Sequence, residues 1–186
     1  PYGISLPDGL QKNDPLPEPI ITPPTKAEKG GHDERLTRDE ILAQGLVEPN
    51  LWAQIEETAV FLYKRGRDIA AERGLILVDT KYEMGLIDGK LALIDEIHTP
   101  DSSRYWSAGK MDHYDKEFLR QWYAAQGYRG DGTPPTMPPA FRAQVAARYL
   151  HTFETLTGKP FVPGKRPIAA RIAENLTQRR RGAKGG

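Results

Sequence analysis

The order of periodicities along the chain predicts a mixed α+β fold in which an antiparallel hairpin is packed by helices. Three observations carry that expectation. Over residues 50–73, Leu51, Trp52, Ile55, Ala59, Leu62, Tyr63, Gly66, Ile69 and Ala70 recur at helical spacing and form one apolar stripe. Residues 75–86 and 90–97 are apolar or alternating runs on either side of Ile87-Asp88-Gly89, the signature of a β-hairpin. Residues 140–157 then return to helical spacing, with Phe141, Val145, Tyr149, Phe153 and Leu156 on one face.

The remaining elements follow from local signals. Seven prolines in residues 1–35 forbid helix there, yet Ile4, Leu6, Leu10, Leu16, Ile20 and Ile21 are too apolar for a solvated linker, so the segment is expected to lie against a body. Thr37-Arg38-Asp39-Glu40 is a capping box that starts a short helix reaching about Gln44. Residues 98–113 are polar and predict a loop, residues 114–126 a helix, and residues 168–178 a last, basic helix.

Composition narrows the chemistry. At 186 residues the chain can bury roughly 70% of the surface exposed by its unfolded form without staples. The absence of cysteine excludes thiolate nucleophiles, cysteine-ligated zinc, iron–sulfur ligation and disulfides. No apolar run approaches the ~20 residues that span a bilayer, so no membrane partner is expected and the chain is read as cytoplasmic. Seven basic residues and one acidic residue lie from Lys165 onward, against 19 basic and 24 acidic before it. The body is therefore a poor nucleic-acid surface, and polyanion binding would fall to the tail. The chain opens on Pro1, which suggests processing or a piece of a longer polypeptide.

The informative stretch is Asp79-Thr80-Lys81-Tyr82-Glu83, followed after the turn by Asp95-Glu96. In one continuous strand, Asp79, Lys81 and Glu83 share a face. A two-residue turn pairs 87 with 90 and puts Asp95 on the Tyr82 face. A three-residue turn pairs 86 with 90 and sets Lys81 opposite Asp95, and it is favoured because it keeps Tyr82, Met84, Ala92 and Ile94 together. Glu83 near Asp95 makes an oxygen-only site of the kind hard Mg²⁺ takes, although such rows are also ordinary ion-paired sheet faces. Asp101-Ser102-Ser103-Arg104 in a turn offers hydroxyls, amides and a planar guanidinium to an anion, while Pro100-Asp101-Ser102 is also a common turn. Lys116 and Arg120, one helical turn apart, could clamp an anion or pair with surface carboxylates. Phosphate-binding and nucleophile-elbow motifs are missing, so phosphate-handling electrostatics is favoured over covalent catalysis.

These segments in this order resemble one family. Glu18-Pro19-Ile20-Ile21-Thr22-Pro23-Pro24-Thr25-Lys26-Ala27-Glu28, Gly31-His32-Asp33-Glu34, and the run from Gly74 through Asp79, Lys81 and Glu83 to Gly85 come first. Asp95-Glu96-Ile97-His98-Thr99-Pro100-Asp101-Ser102-Ser103-Arg104-Tyr105-Trp106 and Tyr114-Asp115-Lys116 complete the series. They are similar to the SAICAR synthetases (phosphoribosylaminoimidazole-succinocarboxamide synthases) over residues 1–158. The resemblance implies a SAICAR synthetase-like ATP-binding fold and a ligase of purine biosynthesis. In that reaction ATP, carboxyaminoimidazole ribonucleotide and L-aspartate give the succinocarboxamide, ADP and phosphate.

Carried over residue by residue, it implies Lys81 and Asp79 as catalytic groups, Lys81, Glu83 and Asp95 at ATP, and Glu83 and Asp95 on Mg²⁺. Asp101, Ser102, Ser103, Arg104, Lys116 and Arg120 would hold the ribonucleotide, with Lys26, Glu28, His32 and Asp33 lining the substrate or aspartate end. The family's N-terminal nucleotide-binding segment has no counterpart here, so residues 1–158 are expected to be the C-terminal portion of the catalytic domain and 159–186 a basic extension. A homo-oligomer is compatible with this reading. The other readings are an amide ligase with a different substrate pair and a non-catalytic binder acting through the basic tail, with nucleic acid disfavoured.

Overall fold

The computed structural model describes residues 2–25, 34–109, 116–164 and 167–182, with side chains of the last helix described as far as Thr177. Among them the chain runs α1 (Arg38–Ala43), α2 (Pro49–Glu72), β1 (Leu75–Thr80), β2 (Met84–Ile87), β3 (Lys90–Leu93), β4 (Ser103–Ser107), α3 (Glu117–Ala125), α4 (Pro139–Thr157) and α5 (Ile168–Gly182). The mixed α+β class is therefore present, with antiparallel strands packed by helices.

The helices begin where side chains or proline resolve their unsatisfied amides. Thr37 Oγ1 accepts from the Glu40 amide at 3.2 Å while the Glu40 carboxylate accepts from the Thr37 amide at 2.7 Å, completing the expected capping box. α2 opens on Pro49, with the Glu48 carboxylate accepting from the Leu51 amide at 3.0 Å. Its stripe buries Trp52, Gly66 and Ala70 and directs Tyr63 onto the core. That core joins Ala70 of α2 to Leu75, Leu77 and Tyr105, with Leu156 of α4 packed against it.

The strand pairing departs from the expected long hairpin. β1 pairs antiparallel with β4, and the β2–β3 hairpin is inserted between these two partners. The polar composition of residues 98–113 predicts a loop, yet β4 lies within them and supplies a central core residue, Tyr105, only 1% exposed. Its alternation, with Ser103 and Tyr105 buried and Arg104 exposed, is the period of a strand, but the flanking polar residues mask it.

The register of β1 shifts between Leu77, opposite Tyr105, and Asp79, opposite Arg104. Strict alternation after buried Leu75 and Leu77 would turn Asp79 toward the core. The extra residue at Val78 instead leaves Asp79 exposed and Thr80 half-buried. Tyr63 of α2 donates its hydroxyl to the bulge, 3.0 Å from the Leu77 carbonyl and 3.3 Å from that of Val78. Burial raises the Tyr63 pKa, so this donor keeps its proton across the ordinary pH range.

The hairpin turn corrects the favoured register. Ile87 pairs with Lys90 and Met84 with Leu93, leaving a two-residue loop, Asp88-Gly89, with φ of 51° and 73°. Two positive φ angles are what a tight hairpin turn demands, and Asp-Gly supplies them at low steric cost. The preference for keeping one face apolar lost to this local chemistry: Leu86, Ile87 and Ile94 are all more than half exposed.

The proline-rich segment carries an isolated bridge between Pro24 and Arg35. Ile4, Leu10, Ile20 and Ile21 are half-buried, as expected of a segment lying on a body, while Leu6 and Leu16 are exposed. Among the described residues no helix is long and apolar enough to cross a membrane.

Tyr63→Phe removes the donor to the bulge while keeping the ring. It is expected to lower unfolding free energy by about 1 kcal/mol in urea titrations. Thr37→Ala is expected to cost a similar ~1 kcal/mol through loss of the cap.

Candidate active site

Asp79, Lys81, Ser102, Ser103 and Arg104 lie where β1 and β4 run out. At the bulged pair, the Arg104 guanidinium forks onto Asp79, with Nε 2.7 Å from Oδ1 and one terminal nitrogen 2.6 Å from Oδ2. Both side chains are about half exposed, so the pair contributes little to stability, but two parallel bonds fix the plane of the guanidinium. On the opposite side of the strands, Thr80 Oγ1 and Ser103 Oγ lie 2.8 Å apart and Ser103 Oγ is 3.3 Å from Ser102 Oγ. Ser103 is buried, and of the two serines only Ser102 lies partly open.

The loop before β4 folds around Thr99. Its Oγ1 donates to Glu96 at 2.6 Å and accepts from the amides of Asp101 and Ser102 at 3.3 and 3.2 Å. The Thr99 amide in turn donates to Ser102 Oγ at 3.1 Å. Distant elements hold this loop. Tyr149 of α4 donates to Asp101 Oδ1 at 2.8 Å, and the Lys116 amide, where α3 begins, lies 3.4 Å from the Pro100 carbonyl. Lys116 thereby joins the loop, and Arg120 follows one turn on, its guanidinium 3.7 Å from Glu117. Phe141 of α4 stacks on Trp122 of α3, which fixes the two helices against each other.

Lys81 continues the β1–β4 ladder by one bond, its amide donating to the Ser102 carbonyl at 2.7 Å. Its ammonium lies 2.8 Å from Glu83 Oε1, and the Glu83 side chain is 23% exposed. The Ile94 amide donates to the Glu83 carbonyl at 3.0 Å, so Ile94, and not Asp95, stands opposite Glu83. Asp95 therefore does not face Lys81 across a ladder as the longer turn would have arranged. It sits in a bend beyond the end of β3, so both carboxylates lie at the open end of one hairpin. Lys26, Glu28, His32 and Asp33 lie outside the described residues, as do Tyr114 and Asp115.

The comparison with known proteins bears directly on this constellation. The family model described as SAICAR synthetase matches residues 2–135. The chain belongs to the SAICAR synthetase family. The phosphoribosylaminoimidazole-succinocarboxamide synthase of Bacteroides thetaiotaomicron is 48% identical over 187 residues, covering 94% of this chain and 60% of the relative. SAICAR synthase of Saccharomyces cerevisiae, solved in complex with SAICAR, superposes with a TM-score of 0.73 at 36% identity, covering 87% of this chain and 54% of that one. A SAICAR synthetase structure in complex with ADP superposes at a TM-score of 0.64 and 28% identity, covering 83% and 57% of the two chains. The chain thus spans about three fifths of the length of the curated relative.

Within this family fold, Glu83 and Asp95 are hard oxygen donors of the kind Mg²⁺ prefers, and such ions usually keep water and nucleotide phosphates as their other ligands. Among the described residues no group of three or more carboxylates or histidines forms a closed metal cage.

Sequence reasoning missed three groups that hold the site. In the sequence Tyr63 and Tyr149 stand only as members of apolar helical faces. Their hydroxyl partners lie 14 and 48 residues away, and no local pattern announces such bonds. His98 stands in the sequence only as one residue of the run from Asp95 to Trp106. It is half-buried, its Nε2 is 2.6 Å from the Tyr82 hydroxyl, and its ring lies against Gly66 of α2. A glycine inside a strong helix, costing ~1 kcal/mol relative to alanine, was the available signal of a close approach.

Burial lowers the His98 imidazole pKa below its ordinary 6.5. The unfolded chain then takes up its proton at higher pH than the folded one, so stability falls as pH drops below about 6.5 toward the folded value. Denaturant titrations between about pH 7.5 and 5.5 are expected to show that loss, and His98→Asn to flatten it; an unchanged slope in the variant would refute the assignment.

Proposed function

We propose that this chain forms the ribonucleotide-binding and carboxylate-bearing part of a cytoplasmic, ATP-dependent ligase that joins L-aspartate to carboxyaminoimidazole ribonucleotide. The observation that supports the reading is the loop ending at Arg104, in which the Ser102 hydroxyl is tied to Thr99 and Ser103 while Asp79 fixes the plane of the Arg104 guanidinium. Membership of the SAICAR synthetase family supports it. So do the complexes with SAICAR and with ADP recorded for two structural relatives.

The reaction needs the ribonucleotide carboxylate activated by phosphoryl transfer from ATP before the aspartate amine attacks the acyl carbon and displaces phosphate. Arg104 and Ser102 hold the substrate phosphate, with Ser103 and Thr80 fixing Ser102 from beneath and Asp79 fixing Arg104. Lys116 and Arg120 add positive charge at the same end. Lys81 is placed to meet negative charge developing on the transferred phosphoryl group, exchanging its contact with Glu83 as nucleotide enters. Glu83 and Asp95 would hold Mg²⁺, which supplies charge neutralisation between the phosphates. Lys26, Glu28, His32 and Asp33 take the substrate or aspartate end. Residues 1–158 belong to the catalytic domain and residues 159–186 to a basic extension. The family's N-terminal segment would complete the nucleotide side, and the exposed Leu86, Ile87 and Ile94 are apolar surface for it to cover.

The test is a coupled ADP-release assay on the intact polypeptide that carries this chain. ADP release is expected to require both the ribonucleotide and aspartate. Glu83→Gln with Asp95→Asn is expected to lower kcat on the order of 10²-fold or more. ADP release indifferent to aspartate, or full turnover by the double variant, would contradict the proposal.

A further inference from the structure

The approach to the ribonucleotide loop is held in an uncommon backbone conformation. His98 has φ of 57°, the left-handed region that costs an ordinary side chain about 1–2 kcal/mol and persists only where its surroundings enforce it. Three contacts do so. The imidazole Nε2 lies 2.6 Å from the Tyr82 hydroxyl with the rings edge to face. The ring occupies the space above Gly66, where a Cβ would stand 2.4 Å from Cε1 and 2.6 Å from Nε2. The His98 carbonyl accepts from the buried Tyr105 hydroxyl at 2.9 Å. Burial keeps the imidazole neutral and the Tyr82 phenol protonated, so the ring contact is a neutral hydrogen bond.

We infer that His98 is a positioning residue: its imidazole, seated on Gly66 of α2 and bonded to Tyr82, holds the left-handed turn from which residues 99–104 depart toward the ribonucleotide. The inference deepens the proposed function and rests on it. His98 touches no substrate in this account. It sets where Thr99 begins, and Thr99 carries the amide and hydroxyl bonds that place Asp101 and Ser102. Gly66 is required because any larger side chain would push the ring off the helix, and the turn with it.

The experiment is steady-state kinetics of the intact polypeptide with each substrate varied in turn. His98→Ala is expected to raise KM for the ribonucleotide on the order of tenfold while KM for ATP moves less than about twofold, because the displaced loop serves one substrate. Gly66→Ala is expected to raise the same KM, and the two together to do no more than either alone, since both remove one seating. His98→Asn, which tolerates left-handed backbone, is expected to recover part of the loss. Tyr82→Phe, the mildest change, is expected to raise the ribonucleotide KM severalfold and decides the matter if Gly66→Ala fails to fold. An unchanged ribonucleotide KM in His98→Ala and Tyr82→Phe, equal rises for all three substrates, or multiplying effects at 66 and 98 would overturn the inference. Failure of the proposed function would show earlier and separately, as absence of three-substrate turnover in the unsubstituted protein.

Discussion

The bulge at Val78, held by the Tyr63 hydroxyl, is the constraint on which the rest of the site depends. It resolves a conflict between two demands on one short strand. Leu75 and Leu77 must face the core, yet a carboxylate two residues further on cannot follow them into an apolar interior without a large desolvation cost. One inserted residue turns Asp79 outward to Arg104 and brings Thr80 round to buried Ser103. Two carbonyls at the irregularity find a donor in Tyr63, so a helix and a strand share responsibility for the placement of the site.

From that point the architecture reads as a platform and a suspended loop. The platform is the β1–β4 pair with α2 beneath it. The loop between the hairpin and β4 is tied to the platform through the Thr80, Ser103 and Ser102 hydroxyls and to α4 through Tyr149 and Asp101. Its near end is tied to α2 and to Tyr82 through His98. Under the proposed function such a loop costs little to position when the ribonucleotide binds, because its bonds are already made in the free protein; preorganisation of this kind is how polar sites gain from charges that are individually weak in water.

Much of this was legible in the residues. The capping box at Thr37 and Glu40, the long stripe of α2 and the spacing of Phe141 to Leu156 in α4 each depend on neighbours within a turn or two, and each lies where its pattern put it. The motifs around Asp79, Glu83 and Arg104 pointed to phosphate chemistry and to the family. The strand partners were not legible. β1 and β4 are separated by a complete hairpin, and pairing at that distance is decided by packing on α2 and α4 that no local window contains. The turn register follows Asp-Gly chemistry, which acts on two residues and outweighs the apolarity of one hairpin face. Ser103 shows the limit at a single residue: the resemblance implies a substrate contact, and only the structure shows that the residue is buried with its hydroxyl against that of Ser102.

Under the proposed function Ser102 and the Asp79-oriented Arg104 form the phosphate end of a ribonucleotide site. A crystal structure of the intact polypeptide with the carboxylated ribonucleotide tests it most directly. Phosphate oxygens are expected within hydrogen-bonding distance of Ser102 Oγ and the Arg104 guanidinium, with the Asp79 fork and the Thr80–Ser103 contact unbroken. A ribonucleotide phosphate seated away from both residues, or an Arg104 that must leave Asp79 to reach it, would contradict that placement.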